Sequence, residues 1–225
     1  MKWHDELDIF RKIKPCIILE GNVLDRFHYP DDAPERNRDL ADFVYIYLKK
    51  HGYGAIAYYD PSSGFYAPDN SSEIEKMCAN VSGASFKNNY MKSFFVGTRL
   101  KDKDGKEIAV PTIGEVLSAI LNQTKVASAV IIDMASRLII SPDSMDECEV
   151  KAFASIQRAF RKSKNIILPN NESAKNLLIL IVNKVNDLPA WFYLDNPDVK
   201  TIQVLTPDAE ARREFISGSR LANTM

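Results

Sequence analysis

The sequence predicts an α/β fold, a three-layer α/β/α sandwich around a five-stranded, mainly parallel sheet. Apolar runs carry this reading: CIILEGN at 16–22, AIAYYD at 55–60, SAVIID at 128–133 and NLLILIVN at 176–183 each break off at a polar residue. Continuous rather than alternating apolar residues mark strands covered on both faces. Stretches of helical period separate the runs, and strand–helix alternation builds parallel sheets through crossover connections. Open α/β sheets bind ligands beyond the carboxyl ends of their strands, so the polar residues that end the runs are where function is sought.

Each element has its own signal. Residues 3–13 place Leu7, Ile9, Phe10 and Ile13 at mixed helical spacing, the pattern of a short docking helix before strand one. Arg26 to Asn37 is rich in Pro, Asp and Arg and reads as a surface loop. Leu40, Phe43, Val44, Tyr47 and Leu48 form one helical stripe, stopped by His51-Gly52. AIAYYD and the turn PSSG at 61–64 lead into residues 65–110, read as a β-containing insertion. It holds a short helix near Ser72–Cys78 and a hairpin turn at Asp104-Gly105. Thr112-Ile113-Gly114-Glu115 matches a capping box and opens a helix carrying Val116, Leu117, Ile120 and Leu121. Beyond SAVIID, Ser141-Pro142-Asp143 is expected to start a helix with Val150, Phe153, Ala154 and Phe160 inward. A polar loop at 169–175 precedes NLLILIVN, and VKTIQVL at 199–205 is the fifth strand. Thr206-Pro207 then opens a final helix with Asp208 and Glu210 near its positive end.

Composition narrows the function classes. The chain has 225 residues, 45% hydrophobic and 26% charged, the balance of an ordinary globular protein. With 29 basic against 30 acidic residues it has no global field to attract nucleic acid or a membrane, and neither is expected as a partner. Cys16, Cys78 and Cys148 are odd in number and far apart, which suits thiols in a reducing cytosol. MKWHDELDIFRK is too charged for a signal sequence, and the longest apolar run falls far short of the roughly 20 residues that span a bilayer. A cytoplasmic location follows.

The candidate site residues lie at the strand ends. Asp133 closes strand three, where an acid holds magnesium in nucleotide-hydrolysing α/β proteins. The second acid that would polarise water is replaced by Met134. Asn183 closes strand four, where a polar tip can contact a γ-phosphate; the alternative is that both residues simply cap exposed backbone. A phosphate cradle needs G-x-x-x-x-G-K-[ST], because glycines let backbone N–H groups converge on the anion and lysine neutralises it. Residues 20–27 read Glu-Gly-Asn-Val-Leu-Asp-Arg-Phe, with one glycine, no lysine and two carboxylates. No residue is therefore predicted to be catalytic. His4, His28 and His51 share no ligand spacing with the cysteines, and Asp102-x-Asp104-Gly105 lacks the rest of a calcium loop, so no metal site is predicted unless Asp133 holds magnesium. Trp191, Phe192 and Tyr193, beside Pro189, form a docking surface if exposed and pack the sheet end if buried.

Four stretches resemble the AAA+ ATPase family. IILEGNVLDRF matches its first strand region. AVIIDMASRLIISPDSMDECEVKAFASIQRAF is similar to a Walker B strand and its helix, and NLLILIVNKVNDLPAWFYLDNPDVKTIQV to the sensor-1 strand and beyond. TPDAEARREFI resembles the helix start after the fifth strand. The likeness covers about two-thirds of the chain and is closest to the N-terminal, phosphate-loop-lacking module of some bacterial AAA-family proteins. It implies a P-loop NTPase-like strand order of 5-1-4-3-2, Asp133 at the Walker B aspartate, Asn183 at or near sensor 1, and Arg212 and Arg213 on the last helix. It also implies that residues 1–225 are one degenerate domain, the N-terminal part of a longer, ring-forming ATPase, since the helical lid is missing before Met225. The module would bind no cofactor itself, while ATP and Mg2+ would serve the parent protein. Its partners would be its own ATPase module, neighbouring subunits and clients. Two alternatives stand beside this: an active enzyme whose phosphate loop comes from a neighbouring module, and a stand-alone scaffold.

Overall fold

Apolar strands with no polar face must be covered on both sides, and the arrangement found follows from that need. The computed structural model describes residues 2–29, 37–69, 71–86, 90–91, 93, 95, 100–101, 103–108, 110–207 and 212–213. Its main sheet contains β1 (Cys16–Gly21), β2 (Ala55–Asp60), β3 (Gly64–Tyr66), β4 (Tyr90–Met91), β5 (Ser128–Ile132), β6 (Leu177–Val182) and β7 (Val199–Val204). They lie in the order β7-β1-β6-β5-β2-β3-β4. The first five are parallel and reproduce the expected 5-1-4-3-2; β3 and β4 pair antiparallel beyond β2. Among the described residues the sheet thus has seven strands rather than five. The cause is the turn after β2, where Asp60 Oδ1 accepts the Ser62 and Ser63 N–H groups and Gly64 takes φ +78°, folding the chain back on its own strand.

Ile18, Leu180, Ile132 and Tyr59 fall in one row across β1, β6, β5 and β2. They face α4 (Ile113–Leu121) and α5 (Glu147–Arg161), where Val116, Leu117, Ile120, Phe153, Ile156 and Phe160 join the same core. The alternate residues Ile17, Leu19, Ile131 and Ile179 meet α1 (Trp3–Phe10) and α2 (Leu40–Lys50) through Leu7, Leu40, Val44 and Leu48. Period two along each strand therefore produces the three layers. Gly114 lets α4 approach α5 closely: a Cβ there would lie 2.5 Å from the Ser155 Cβ.

Several local expectations are corrected. The helix after β5 starts at Glu147, not Ser141, because Asp146 and Glu149 cap each other's N–H groups at 2.9 and 2.8 Å while Ser141–Ser144 closes a separate turn. Its inward stripe is Ala152, Phe153, Ile156, Ala159 and Phe160; Val150 and Ala154 face solvent. In α1 only Leu7 is buried, and Ile9 and Ile13 are exposed. Part of the loop after β1 pairs as a ribbon, Phe27–His28 with Asn37–Arg38, and the loop near 170 is a ribbon of Asn165–Ile167 with Ser173–Lys175. Within the insertion, α3 (Ser71–Met77) is present, and Leu100–Lys101 pairs with Glu107–Ile108 around a turn where Gly105 has φ +79°. Of the expected last helix, Arg212 and Arg213 are helical and exposed, while Asp208 and Glu210 lie outside the described residues.

Candidate functional site at the carboxyl edge

The turn after β1 comes first, because a phosphate would have to be held there. Gly21 has φ +104°, and a Cβ on it would sit 2.8 Å from the Val204 carbonyl oxygen. The one glycine of this loop therefore serves the close approach of β1 to β7. Asn22 N–H donates to Val204 O at 2.9 Å, Val23 N–H turns back onto Gly21 O at 2.8 Å, and Asn22 Nδ2 donates to Asp25 Oδ2 at 3.0 Å. The chain then enters the Phe27 ribbon, and the next helix among the described residues begins at Leu40. Glu20 Oε2 accepts the Val185 N–H at 2.7 Å, placing a carboxylate between the tips of β1 and β6. A triphosphate cradle needs N–H groups converging at a helix start, and here the Asn22 N–H points into the sheet and the Val23 N–H into the loop itself. The residues present do not fit the triphosphate that the fold family implies.

Asp133 follows β5 directly. Its N–H donates to Tyr59 O at 2.8 Å, and its Oδ1 accepts the Met134 N–H at 2.8 Å. That bond accompanies a left-handed Met134 at φ +52°, a conformation a long side chain adopts at a cost. Burial holds the Asp133 carboxyl above the usual carboxylate range; the Met134 N–H offsets part of this, and the charges of Asp39, Asp60 and Asp42 add to it. Two of those neighbours have tasks of their own: Asp39 caps α2 by accepting the Asp42 N–H at 2.8 Å, and Asp60 organises the turn after β2. Among the described residues no group of three or more His, Cys, Asp or Glu side chains is arranged to hold a metal ion.

Asn183 directly follows β6, the neighbouring strand. Leu180 pairs with Ile132, so Asp133 continues beside Ile181, and Asn183 reaches two residues further, about 7 Å along the strand. The two predicted residues thus share one edge but stand at different heights. Asn183 N–H donates to Ser136 Oγ at 2.8 Å, and its carbonyl accepts the Gly21 N–H at 3.2 Å. Asn183 lines an open cavity of about 440 Å3 together with Ser136, Arg137, Ile139, Ile140, Lys184 and Asp187. Ile140 is fully solvent-exposed at 101%.

The aromatic trio divides. α6 (Ala190–Tyr193) packs on α5, and Phe192 is wholly buried, edge-to-face with Phe153 at 5.3 Å and Phe160 at 5.6 Å. It is core and cannot be a docking residue, because α6 turns it inward against α5. Trp191 is 45% exposed, and Tyr193 is half-buried with its hydroxyl on Asn186 Oδ1 at 2.9 Å.

Two clusters escaped the sequence reading. Arg11, only 1% exposed, forks onto Asp8 through Nε and Nη2 at 3.0 and 2.7 Å and reaches Glu172 at 3.2 Å, joining α1 to the ribbon before β6 at the amino edge. Asp-x-x-Arg at the end of a short helix was the available local signal; Glu172, 161 residues away, had none. Asn176 is fully buried: its Oδ1 accepts the Ser128 N–H at 2.9 Å, and its Nδ2 donates to the Leu121 and Gln123 carbonyls at 3.0 and 2.8 Å.

Among the described residues no helix is long and apolar enough to cross a membrane. No curated protein matches the chain. Among solved structures, the chain is similar to one from a structure titled "Structure of E. coli MS115-1 HORMA:CdnC:Trip13 complex", at 13% identity and a TM-score of 0.41. The similarity covers 96% of this chain and 57% of that one. The profile of the AAA+ chaperone, N-terminal Rossmann-like domain, matches residues 2–205, spanning every strand of the main sheet. The chain belongs to the AAA+ chaperone N-terminal Rossmann-like domain family.

Proposed function

We propose that this chain is a non-hydrolysing N-terminal module of an AAA-family ATPase, working by protein contact at its carboxyl edge. In this reading residues 1–225 form one domain ahead of the ATPase module, and ATP and Mg2+ act in that module. The observation that carries it is the turn after β1. Its glycine serves the close approach to the Val204 carbonyl, its Asn22 and Val23 N–H groups are engaged locally, and the Glu20 carboxylate stands where a phosphate would need positive charge. Asp133 supports the same reading, since its neighbours are carboxylates rather than cations. The edge that binds nucleotide in active relatives of this fold is left here for partner recruitment, ring assembly or regulation of the neighbouring module.

Calorimetry with ATP and magnesium tests this. The expected result is no heat of binding up to millimolar nucleotide, and the same for Asp133→Ala. Micromolar binding that Asp133→Ala abolishes would overturn the proposal in favour of an active nucleotide site.

A further inference from the structure

The open cavity between the tips of β5 and β6 has a chemistry that nucleotide binding does not explain. Arg137 and Lys184 both line it, both are exposed, and neither makes an ion pair or a side-chain hydrogen bond among the described residues. Elsewhere among the described residues Arg11, Lys12, Lys49, Lys76, Lys151, Arg161 and Lys200 are each paired with a carboxylate, and Arg158 and Lys162 are not; what sets Arg137 and Lys184 apart is that they line one cavity together. The acid in the cavity, Asp187, already accepts the Lys184 N–H at 3.2 Å as a backbone cap. Among the lining residues two cations face one carboxylate, while the Glu20 carboxylate on the β1 side is held by the Val185 N–H at 2.7 Å. Ile140 stands fully exposed beside the buried Ile139, an aliphatic surface that gains from being covered. The Asn183 amide, free of side-chain partners among the described residues, can donate to a peptide carbonyl and accept from a peptide N–H.

We propose that this cavity takes an acidic peptide segment of a partner protein, one that carries an aliphatic side chain between its carboxylates. Arg137 and Lys184 would pair with the carboxylates, Ile140 would pack on the aliphatic group, and Asn183 would bridge to the peptide backbone. This rests on the reading of the carboxyl edge as a protein-contact surface. Charge complementarity selects this occupant over a longer polyanion, because Asp39, Asp42, Asp60 and Asp133 crowd the β5–β2 side of the same edge and repel an extended phosphate chain. A short acidic segment laid over Arg137 and Lys184 avoids those four and meets only Glu20 and Asp187, both held by backbone N–H groups.

The test uses the full chain and fluorescein-labelled nonapeptides in which Asp or Glu flanks a central Leu or Ile, with neutral and Lys-substituted versions as comparators. Fluorescence polarisation should favour the acidic set. The double variant Arg137→Glu, Lys184→Glu should weaken it by about tenfold and gain affinity for the Lys-substituted set. Ile140→Ser should weaken the acidic set while leaving the melting temperature unchanged, and amide shifts on binding should centre on residues 136–140 and 183–187. Equal binding of all three peptide sets, unchanged binding by the charge-reversed variant, shifts elsewhere, or no binding at all would each overturn the assignment. ATP binding in the calorimetric experiment would instead remove the module reading and leave the peptide result to be judged by itself.

Discussion

Replacing Asn176 with alanine isolates a buried polar junction at the amino end of β6. Asn176 stands just before β6 and joins three elements through one side chain: β5 through Ser128 N–H, the end of α4 through Leu121 O, and the following turn through Gln123 O. Alanine removes all three bonds but does not strand all three partners equally. Leu121 O keeps the Lys164 N–H at 3.2 Å, so its loss is small. Gln123 O is partly accessible and can recruit water. Ser128 N–H is fully buried and has no such recourse. A stranded buried donor costs about 1–3 kcal/mol and a partly exposed acceptor about 1, so the variant should lose about 3 kcal/mol. For a domain of this size that is about 6–12 °C in melting temperature. Urea unfolding followed by circular dichroism measures it, with a lower midpoint at unchanged slope as the expected outcome. Asn176→Asp should be worse than Asn176→Ala, because a carboxylate would face two carbonyls in a dry site. A loss below about 0.5 kcal/mol for Asn176→Ala would refute the reasoning, since surface substitutions fall in that range.

The other predictions concern packing and charge. Phe192→Ala should destabilise by about 3–5 kcal/mol, as expected for a fully buried ring, whereas Trp191→Ala should change the urea midpoint little. Equal effects would contradict the division of the aromatic trio. Gly114→Ala should cost about 1–3 kcal/mol by forcing α4 away from α5, and Ser155→Gly in the same chain should restore part of it in thermal melts. The folded pKa of Asp133 lies above its ordinary value of 3.8, so the folded state holds that proton more tightly. Stability then falls as pH rises through the window between the two values, and above it the ionised carboxylate remains a cost. Asp133→Asn should be the more stable protein near neutral pH, with its advantage vanishing in acid; a less stable Asp133→Asn at neutral pH would reverse the assignment.

The sheet was legible because burial on both faces leaves a one-dimensional trace, runs such as LLILIV that no exposed segment can carry. Capped helices were legible for a similar reason, since Thr112 and Glu115 solve a local problem with local residues. Where two local signals compete, sequence order does not say which wins: Asp146–Glu149 forms a reciprocal cap and Ser141–Asp143 does not, which moved the start of α5. β3 and β4 are two or three residues long and carry no period of their own, so the extension of the sheet depended on a turn whose hydrogen bonds are visible only in three dimensions. The placement of Asp133 and Asn183 at adjacent tips followed from the strands. The cavity beside Asn183 did not, because Arg137 and Lys184 are 47 residues apart and meet only through the pairing of β5 with β6. Phe192 illustrates the same limit: an aromatic beside proline reads alike whether a short helix turns it inward or outward.

The central claim is that the turn following the first strand has no grip on triphosphate. Titrating ATP·Mg2+ into the isotope-labelled chain and following backbone amide shifts addresses it residue by residue. The account predicts that Asn22, Val23 and Met134 stay unmoved up to millimolar nucleotide; saturable shifts centred on those three amides would contradict it.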